Sequence, residues 1–349
     1  MGGWAVSVTI REVARAASVS VATVSRVLND KGPVRDETRR RVLGIARKLS
    51  YAPHGAARSL ITRKTSTLGV LLPDLYGEFF SELIRGIDSC ARESGYHVLV
   101  SGSHSKRADI EAVLRATRGR VDGLIVMSPD LDARALRNNP VDGLPILLLN
   151  GNGERFDSIH VDNHGGARAI VRHLIGLGHR RIAHLSGPAG NRDAAERLRG
   201  YRDAMKAVLR HSAPDLVIEG DFREETGYRA GARLLASKVV PTAVFAGNDS
   251  MAIGLLAAFR EAGVQVPGDV AVAGFDDIPI ARFTTPALST VRVPIADLGS
   301  RATRRLLQMI SRSNVLAVRH ETLPTTLIVR DSCGSSRASL TSRKEAVSQ

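Results

Sequence analysis

The stretch Val19-Ser20-Val21-Ala22-Thr23-Val24-Ser25-Arg26-Val27-Leu28-Asn29 decides how the N-terminal part of this 349-residue chain is read. Ser20 offers a hydroxyl that caps a helix, and Val24, Val27 and Leu28 return at helical spacing, so a helix runs from Val21 to Leu28. Upstream, Thr9 caps a first short helix through Ala17, whose stripe is Ile10, Val13, Ala14 and Ala17. Ser18-Val19 is the break between the two. Downstream, Asn29-Asp30-Lys31-Gly32-Pro33 is a turn cluster. A third helix spans about Asp36 to Leu49, with Asp36 and Glu37 at its electropositive end and Val42, Ile45, Ala46 and Leu49 on its apolar face. Two short helices joined by a tight turn, with a third closing a small core, form an all-α helix-turn-helix unit.

The same segment holds most of the excess charge. The chain carries a formal net charge of +14, and residues 1–65 hold 13 Lys and Arg against 4 Asp and Glu. Residues 66–330 are nearly balanced, with 33 against 29. A basic, folded end points to a polyanion, because neutralising phosphates releases condensed counterions. No apolar run approaches the ~18 residues of a membrane span. Met1 to Val8 is too short and uncharged for a secretory signal, so the expected location is the cytoplasm and no membrane partner is expected. Cys90 and Cys333 lie far apart without metal-ligand spacing. Cys90 reads as a packed thiol on a helix and Cys333 as part of a Ser-rich tail, with neither a disulfide nor a metal site.

From residue 66 onward, apolar strands alternate with amphipathic helices. Leu68–Leu72, Tyr96–Val100, Val121–Met127 and Pro145–Leu149 are strand-like runs, with a helix over Phe79–Ser94. The pattern begins again near Asp162, with a helix over Gly165–Leu177, a strand Ile182–Ser186, a helix from about Arg192 to Arg210, and strands at Ala243–Ala246 and Val270–Ala273. Continuous apolar strands separated by helices imply parallel sheets covered on both faces, here in two similar lobes. Ligands of such sheets sit beyond the carboxyl ends of the strands, so facing lobes create a cleft.

The residues at fixed spacing carry a resemblance. Thr9-Ile10-Arg11-Glu12-Val13-Ala14, the Val19–Asn29 stretch, Tyr51-Ala52-Pro53 and Ala57-Arg58-Ser59-Leu60 strongly resemble the lactose/galactose-repressor (LacI/GalR) family. The body follows in family order through Gly178-His179-Arg180-Arg181-Ile182, Pro241-Thr242-Ala243-Val244-Phe245, Asn248-Asp249, Gly274-Phe275-Asp276-Asp277 and Thr285-Pro286-Ala287-Leu288-Ser289-Thr290. The resemblance implies a helix-turn-helix domain over 1–52, a hinge over 53–65, and a two-lobed, periplasmic-binding-protein-like α/β effector domain over 66–330. Lobe 1 would hold about 66–162 and 293–322, and lobe 2 about 163–292 and 323–330. Residues 331–349, polar and without leucine heptads, are expected to be a disordered tail.

It also implies roles. Val21, Ala22 and Arg26 match the base-reading positions: Arg26 suits a guanine edge, and Val21 and Ala22 suit thymine methyls. Ser20, Thr23, Ser25 and Asn29 are short donors fit for phosphates. Leu60 and Ala57 match the hinge residues that enter the minor groove on double-stranded DNA, and an apolar wedge there unstacks a base step. His54 stands where Asn is common, and Ser18 replaces a frequent Gly. For the small-molecule effector, strand-end position and resemblance select Arg197 and Asp276 as polar anchors. Asn248, Asp249, Asp193 and Asn150 are further hydrogen-bonding groups, Asp249 equally readable as a helix cap. Phe80 and Phe222 are ring-stacking faces, and Phe79 reads as core. Such a set favours a sugar or sugar derivative, with a nucleobase as the second choice.

Together these readings give a homodimeric, DNA-binding transcriptional regulator, of repressor type, under small-molecule control, with no cofactor. A dimer is needed because one short helix reads few base pairs. The rival readings are a solute-binding protein of a sugar transporter, opposed by the basic helices at 9–49, and a sugar-processing enzyme. Against the enzyme, Ser103-His104-Ser105-Lys106 has no supporting signature and Gly151-Asn152-Gly153 is an incomplete nucleotide loop. His179 and His184 flank a strand with no third ligand.

Overall fold

The computed structural model describes residues 8–28, 32–51, 64–103, 107–127, 143–151, 153, 155–206, 216–237, 240–311 and 317–334. The chain divides into two compact units, Met1–Thr65 and Ser66–Gln349.

In the first unit, helices α1 (Ile10–Ala16), α2 (Val21–Leu28) and α3 (Asp36–Lys48) enclose a core of Val13, Ala14, Ala17, Val24, Val27, Val42 and Ala46. Thr9 and Glu12 form a reciprocal capping box at α1, with the Thr9 amide donating to the Glu12 carboxylate at 2.6 Å. The Ser20 hydroxyl accepts the Thr23 amide at 3.1 Å and starts α2. Ser18 sits at φ 52°, in the left-handed region. The turn therefore demands the conformation that glycine adopts most cheaply, at a cost for serine of roughly 1–2 kcal/mol.

The second unit begins with β1 (Thr67–Leu72), α4 (Glu78–Glu93), β2 (His97–Gly102), α5 (Arg107–Thr117), β3 (Gly123–Met127), β4 (Ile146–Leu149) and β5 (Asp157–Val161). A second series follows: α6 (Asn163–Gly176), β6 (Ile182–Ser186), α7 (Arg192–Lys206), β7 (Val217–Glu219), α8 (Glu224–Leu235), β8 (Ala243–Ala246), α9 (Asp249–Glu261) and β9 (Ala271–Ala273). The chain closes with β10 (Thr290–Arg292), α10 (Ile295–Ser311), β11 (His320–Leu323) and β12 (Thr326–Ile328).

Two parallel sheets result, one ordered β11-β5-β4-β3-β1-β2 and the other β7-β6-β8-β9. Each repeats one winding: the second strand lies outside the first, and the third and fourth lie on its other side. That shared reversal is why the sequence pattern restarts. β3, β4, β6 and β8 are buried at every residue, as strands covered on both faces must be. The chain leaves the six-stranded sheet after β5, returns through α10 and β11, and leaves again to pair β12 antiparallel with β10. Helices α8 and α9 pack closely at glycine: a Cβ on Gly227 would lie 2.1 Å from the Met251 carbonyl oxygen.

One expectation fails at the C-terminal end. Residues 331–334 are not loose tail. Asp331–Cys333 forms a short 3-10 turn with Ser332 and Cys333 buried. The Ser332 hydroxyl donates to the Val272 carbonyl at 2.6 Å and accepts the Ser289 amide at 2.8 Å, so it plugs the edge beside β9. Cys333 receives the Ser289 hydroxyl at 3.1 Å. Residues 335–349 lie outside the described residues.

Candidate functional site

A cavity of about 620 Å³ opens where the carboxyl ends of the two parallel sheets face each other. Its walls are the segments that follow β1, β6, β7, β8 and β9, with Met127 at the end of β3, which is where open α/β sheets leave room for a ligand. Of the effector candidates, Phe80, Asp193, Arg197, Phe222, Asn248 and Asp276 line it.

Arg197 organises the floor. Projecting from α7 and 6% exposed, it donates through Nε to Asn163 Oδ1 at 2.8 Å. Its Nη1 donates to the Gly247 carbonyl and its Nη2 to Asp276 Oδ1 at 3.1 Å. The guanidinium lies 3.9 Å from the Phe275 ring centroid and 5.7 Å from that of Phe222. Burial pushes the Asp276 carboxyl up to about 6 although the Arg197 charge opposes this. Asp193 is raised as well, by burial, against the pull of Arg197. It accepts the Asn150 and Asn163 side-chain amides at 2.8 and 3.0 Å. Phe222 (φ 69°) and Asp276 (φ 112°) hold left-handed backbone conformations at this wall. Such conformations persist only where the surrounding structure over-determines them. The tip of the Phe222 ring lies against Gly187, where any Cβ would sit 2.1 Å from its Cζ.

Two expected candidates stand elsewhere. Asn150 does not line the cavity; it lies behind, holding Asp193 and accepting the Val161 amide at 3.1 Å. Asp249 is fully buried and faces inward. It accepts the Ile278 amide at 2.9 Å and the Thr290 hydroxyl at 2.5 Å, and burial raises its pKa well above the usual carboxylate range. Nor does it cap α9, since Asn248 does so by accepting the Met251 amide at 3.0 Å. Phe79, read as core, also faces the cavity, edge-on to Phe80 with ring centroids 5.5 Å apart. A helix stripe cannot distinguish a core position from a cavity wall when both are apolar.

Sequence reasoning missed the rim. Asp74, Tyr76, Glu78, Asn191, Asp221, Arg223 and Ser250 also line the cavity. Arg223 Nη2 donates to Asp74 Oδ2 at 3.0 Å, and the Ile280 amide donates to Glu78 Oε2 at 2.9 Å, so both bonds cross from one sheet's segments to the other's. Asp74, directly after β1, was findable by the strand-end rule applied to the other candidates.

In the helix-turn-helix unit, Ser20, Ala22, Arg26 and Val21 (41% exposed) are solvent-exposed, while Val24 and Val27 face the core. Val21 is therefore not one of the buried core residues of this unit. Thr23 and Ser25 are half-buried beside them. Asn29, His54, Ala57 and Leu60 lie outside the described residues. His184 is buried between the Tyr201 and Phe245 rings with Nδ1 2.9 Å from the Phe245 carbonyl, a core role; His179 meets the Thr242 hydroxyl at 3.1 Å. Among the described residues there is no group of three or more His, Cys, Asp or Glu placed to hold a metal. No helix among them is long and apolar enough to cross a membrane.

Residues 9–54 match the bacterial regulatory proteins of the lacI family, and residues 171–333 the periplasmic binding protein-like domain. The regulator GalS of Salmonella typhimurium is 36% identical over 322 residues, covering 91% of this chain and 94% of its own. The chain belongs to the LacI family. Among solved structures, the Lac repressor dimer bound to operator and the anti-inducer ONPF superposes with a TM-score of 0.84 at 31% identity, over 94% of this chain and 99% of that one. The transcriptional regulator CelR in complex with cellobiose gives a TM-score of 0.70 at 30% identity, over 93% and 99%. This LacI-family chain is thus a DNA-binding transcriptional regulator, and its relatives are regulators and not enzymes.

Proposed function

We propose that the protein acts in the cytoplasm as a homodimeric repressor of a pseudopalindromic operator, controlled by a hydroxyl-rich small molecule, a sugar or sugar derivative, held in the cleft. The observation that carries this is the cavity: two parallel sheets present their carboxyl ends to one space floored by Arg197, Asp193 and Asp276 and walled by Phe80 and Phe222. Carboxylates, a guanidinium and Asn248 match hydroxyls, and phenyl faces match the apolar face of a sugar ring. Cellobiose in the CelR complex supports that chemistry.

On DNA, exposed Val21, Ala22 and Arg26 are proposed to read base edges, and Ser20, Thr23 and Ser25 to hold phosphates. Leu60, Ala57, Asn29 and His54 are proposed contacts by family position. Effector binding would favour one relative arrangement of the lobes through the bonds that bridge them, Asn150–Asp193, Arg223–Asp74 and Glu78–Ile280, and so change operator affinity.

The test is gel retardation of genomic fragments across a salt series, with thermal-shift screening of sugars and nucleobases. Retardation of particular fragments, altered by a compound that also raises the melting temperature, is expected. Retardation indifferent to sequence would reject the operator reading, and stabilisation by nucleobases alone would replace the sugar.

A further inference from the structure

Among the described lining residues, carboxylates outnumber cations: Asp74, Glu78, Asp193, Asp221 and Asp276 stand against Arg197 and Arg223, with Arg192 beside Asp193 as a third cation outside the lining. Both lining guanidiniums already have protein acceptors: Arg197 bonds Asp276, Asn163 and the Gly247 carbonyl, and Arg223 is paired with Asp74. Asp193 is held by two side-chain amides, Glu78 by the Ile280 amide and Asp221 by the Arg223 amide, and among the described residues no cationic side chain is hydrogen-bonded to any of the three.

Anion recognition works through an open arginine fork or a row of free amides. Here Arg197 is locked in a bed that is itself 7% exposed, and any anion that approached Arg223 at the mouth would share it with the Asp74 carboxylate already paired to it. It would do so inside a space already rich in negative charge, where like charges repel more strongly than in water. A hydroxyl or ammonium donor meets the opposite situation, since ionised carboxylates are pure acceptors.

Resting on the reading of this cavity as the effector site, we infer that the effector carries no negative charge. It is a neutral polyhydroxyl or an amino-bearing sugar, and Asp74 and Asp221 at the rim act with the buried Asp193 and Asp276 to exclude phosphorylated and carboxylated counterparts. Specificity of this kind comes from a built-in repulsion as much as from attraction.

Matched series on single sugar skeletons test it with the full chain: glucose, glucosamine, glucose 6-phosphate and glucuronate, with parallel sets on ribose and galactose. Melting temperature and isothermal titration are the readouts. Every stabilising compound is expected to be neutral or amino-bearing, at least about 100-fold tighter than its phosphorylated partner. Asp74→Asn removes one rim charge and releases Arg223, and is expected to narrow that ratio about tenfold. Asp74 is exposed enough for the fold to tolerate the change. A phosphorylated or carboxylated sugar that stabilises the wild type as well as its neutral form overturns the inference, as does an Asp74→Asn chain with an unchanged ratio. A panel in which no sugar acts removes the sugar reading and this inference with it. Failure of sequence-specific retardation would strike the regulator reading alone, because the charge preference is measured without DNA.

Discussion

Arg197 stands on both sides of the ledger between binding and stability. Its three interior hydrogen bonds, one of them the pair with Asp276, tie α7 to α6 and to the ends of β8 and β9. Arg197→Ala is therefore expected to abolish the effector-induced rise in melting temperature and also to lower basal stability, by about 3 kcal/mol, because Asp276 is left buried without its counter-charge. Gel retardation of operator below the lowered melting point should persist, and loss of both responses there would contradict the cleft assignment. Asp276 makes a pH prediction. With its folded-state carboxyl pushed up to about 6 and an ordinary value of 3.8, the folded chain keeps a proton that the unfolded chain releases between those limits. Its contribution is in place at low pH and is lost as pH rises through 6, an effect on the order of 3 kcal/mol. Urea midpoints from pH 4.5 to 7.5 should show the larger part of that fall, about 2 kcal/mol, in the wild type and a flatter course in Asp276→Asn. Asp249 is raised by burial and in part by the Asp276 charge, so in Asp276→Asn its own shift shrinks and adds to the flattening.

At the scale of elements, α2 separates its two tasks cleanly around its circumference. Val24 and Val27 serve the core, while Val21, Ala22 and Arg26 face solvent. Exchanging Val21 and Ala22 for other residues is thus expected to redirect base preference in a binding-site selection while moving the unfolding midpoint by less than about 0.5 kcal/mol. A change in overall affinity with no change in preferred sequence would refute base reading. The capping box at α1 predicts the reverse pattern: Thr9→Ala, which removes a cap and no proposed base contact, should cost about 1 kcal/mol and leave sequence preference intact. Much of this was legible, since Thr9, Ser20 and the apolar stripes lie within one or two helical turns of the groups they serve. The strands Ile182–Ser186 and Ala243–Ala246 fall where their apolar runs place them. The burial of Ser332 and Cys333 was not legible because the groups that bury them, on β9 and at Ser289, are more than forty residues away.

For the whole molecule, a short recognition helix on each of two related chains implies half-sites at a set spacing. Inserting about five base pairs, half a helical turn, between half-sites should abolish specific retardation, whereas a full-turn insertion should restore part of it. Equal retardation at every spacing would dispose of the two-fold dimer. The same dimer should lose affinity steeply with salt, since the basic residues of positions 1–65 act on phosphates whatever the base sequence.

Periodicity, caps and charge distribution determined, from the sequence alone, the three-helix unit, the two parallel sheets and the class of partner, because each depends on residues that are close neighbours along the chain. The tertiary structure alone decided which strand-end groups share a space: Asp74 with Arg223, 149 positions apart, Arg197 with Asp276, 79 apart, and Asp249 turned away from its neighbour Asn248. Parallel strands must be joined through helices, so the residues that meet at their carboxyl ends are separated by whole βα units, and no local pattern records which of them face one another.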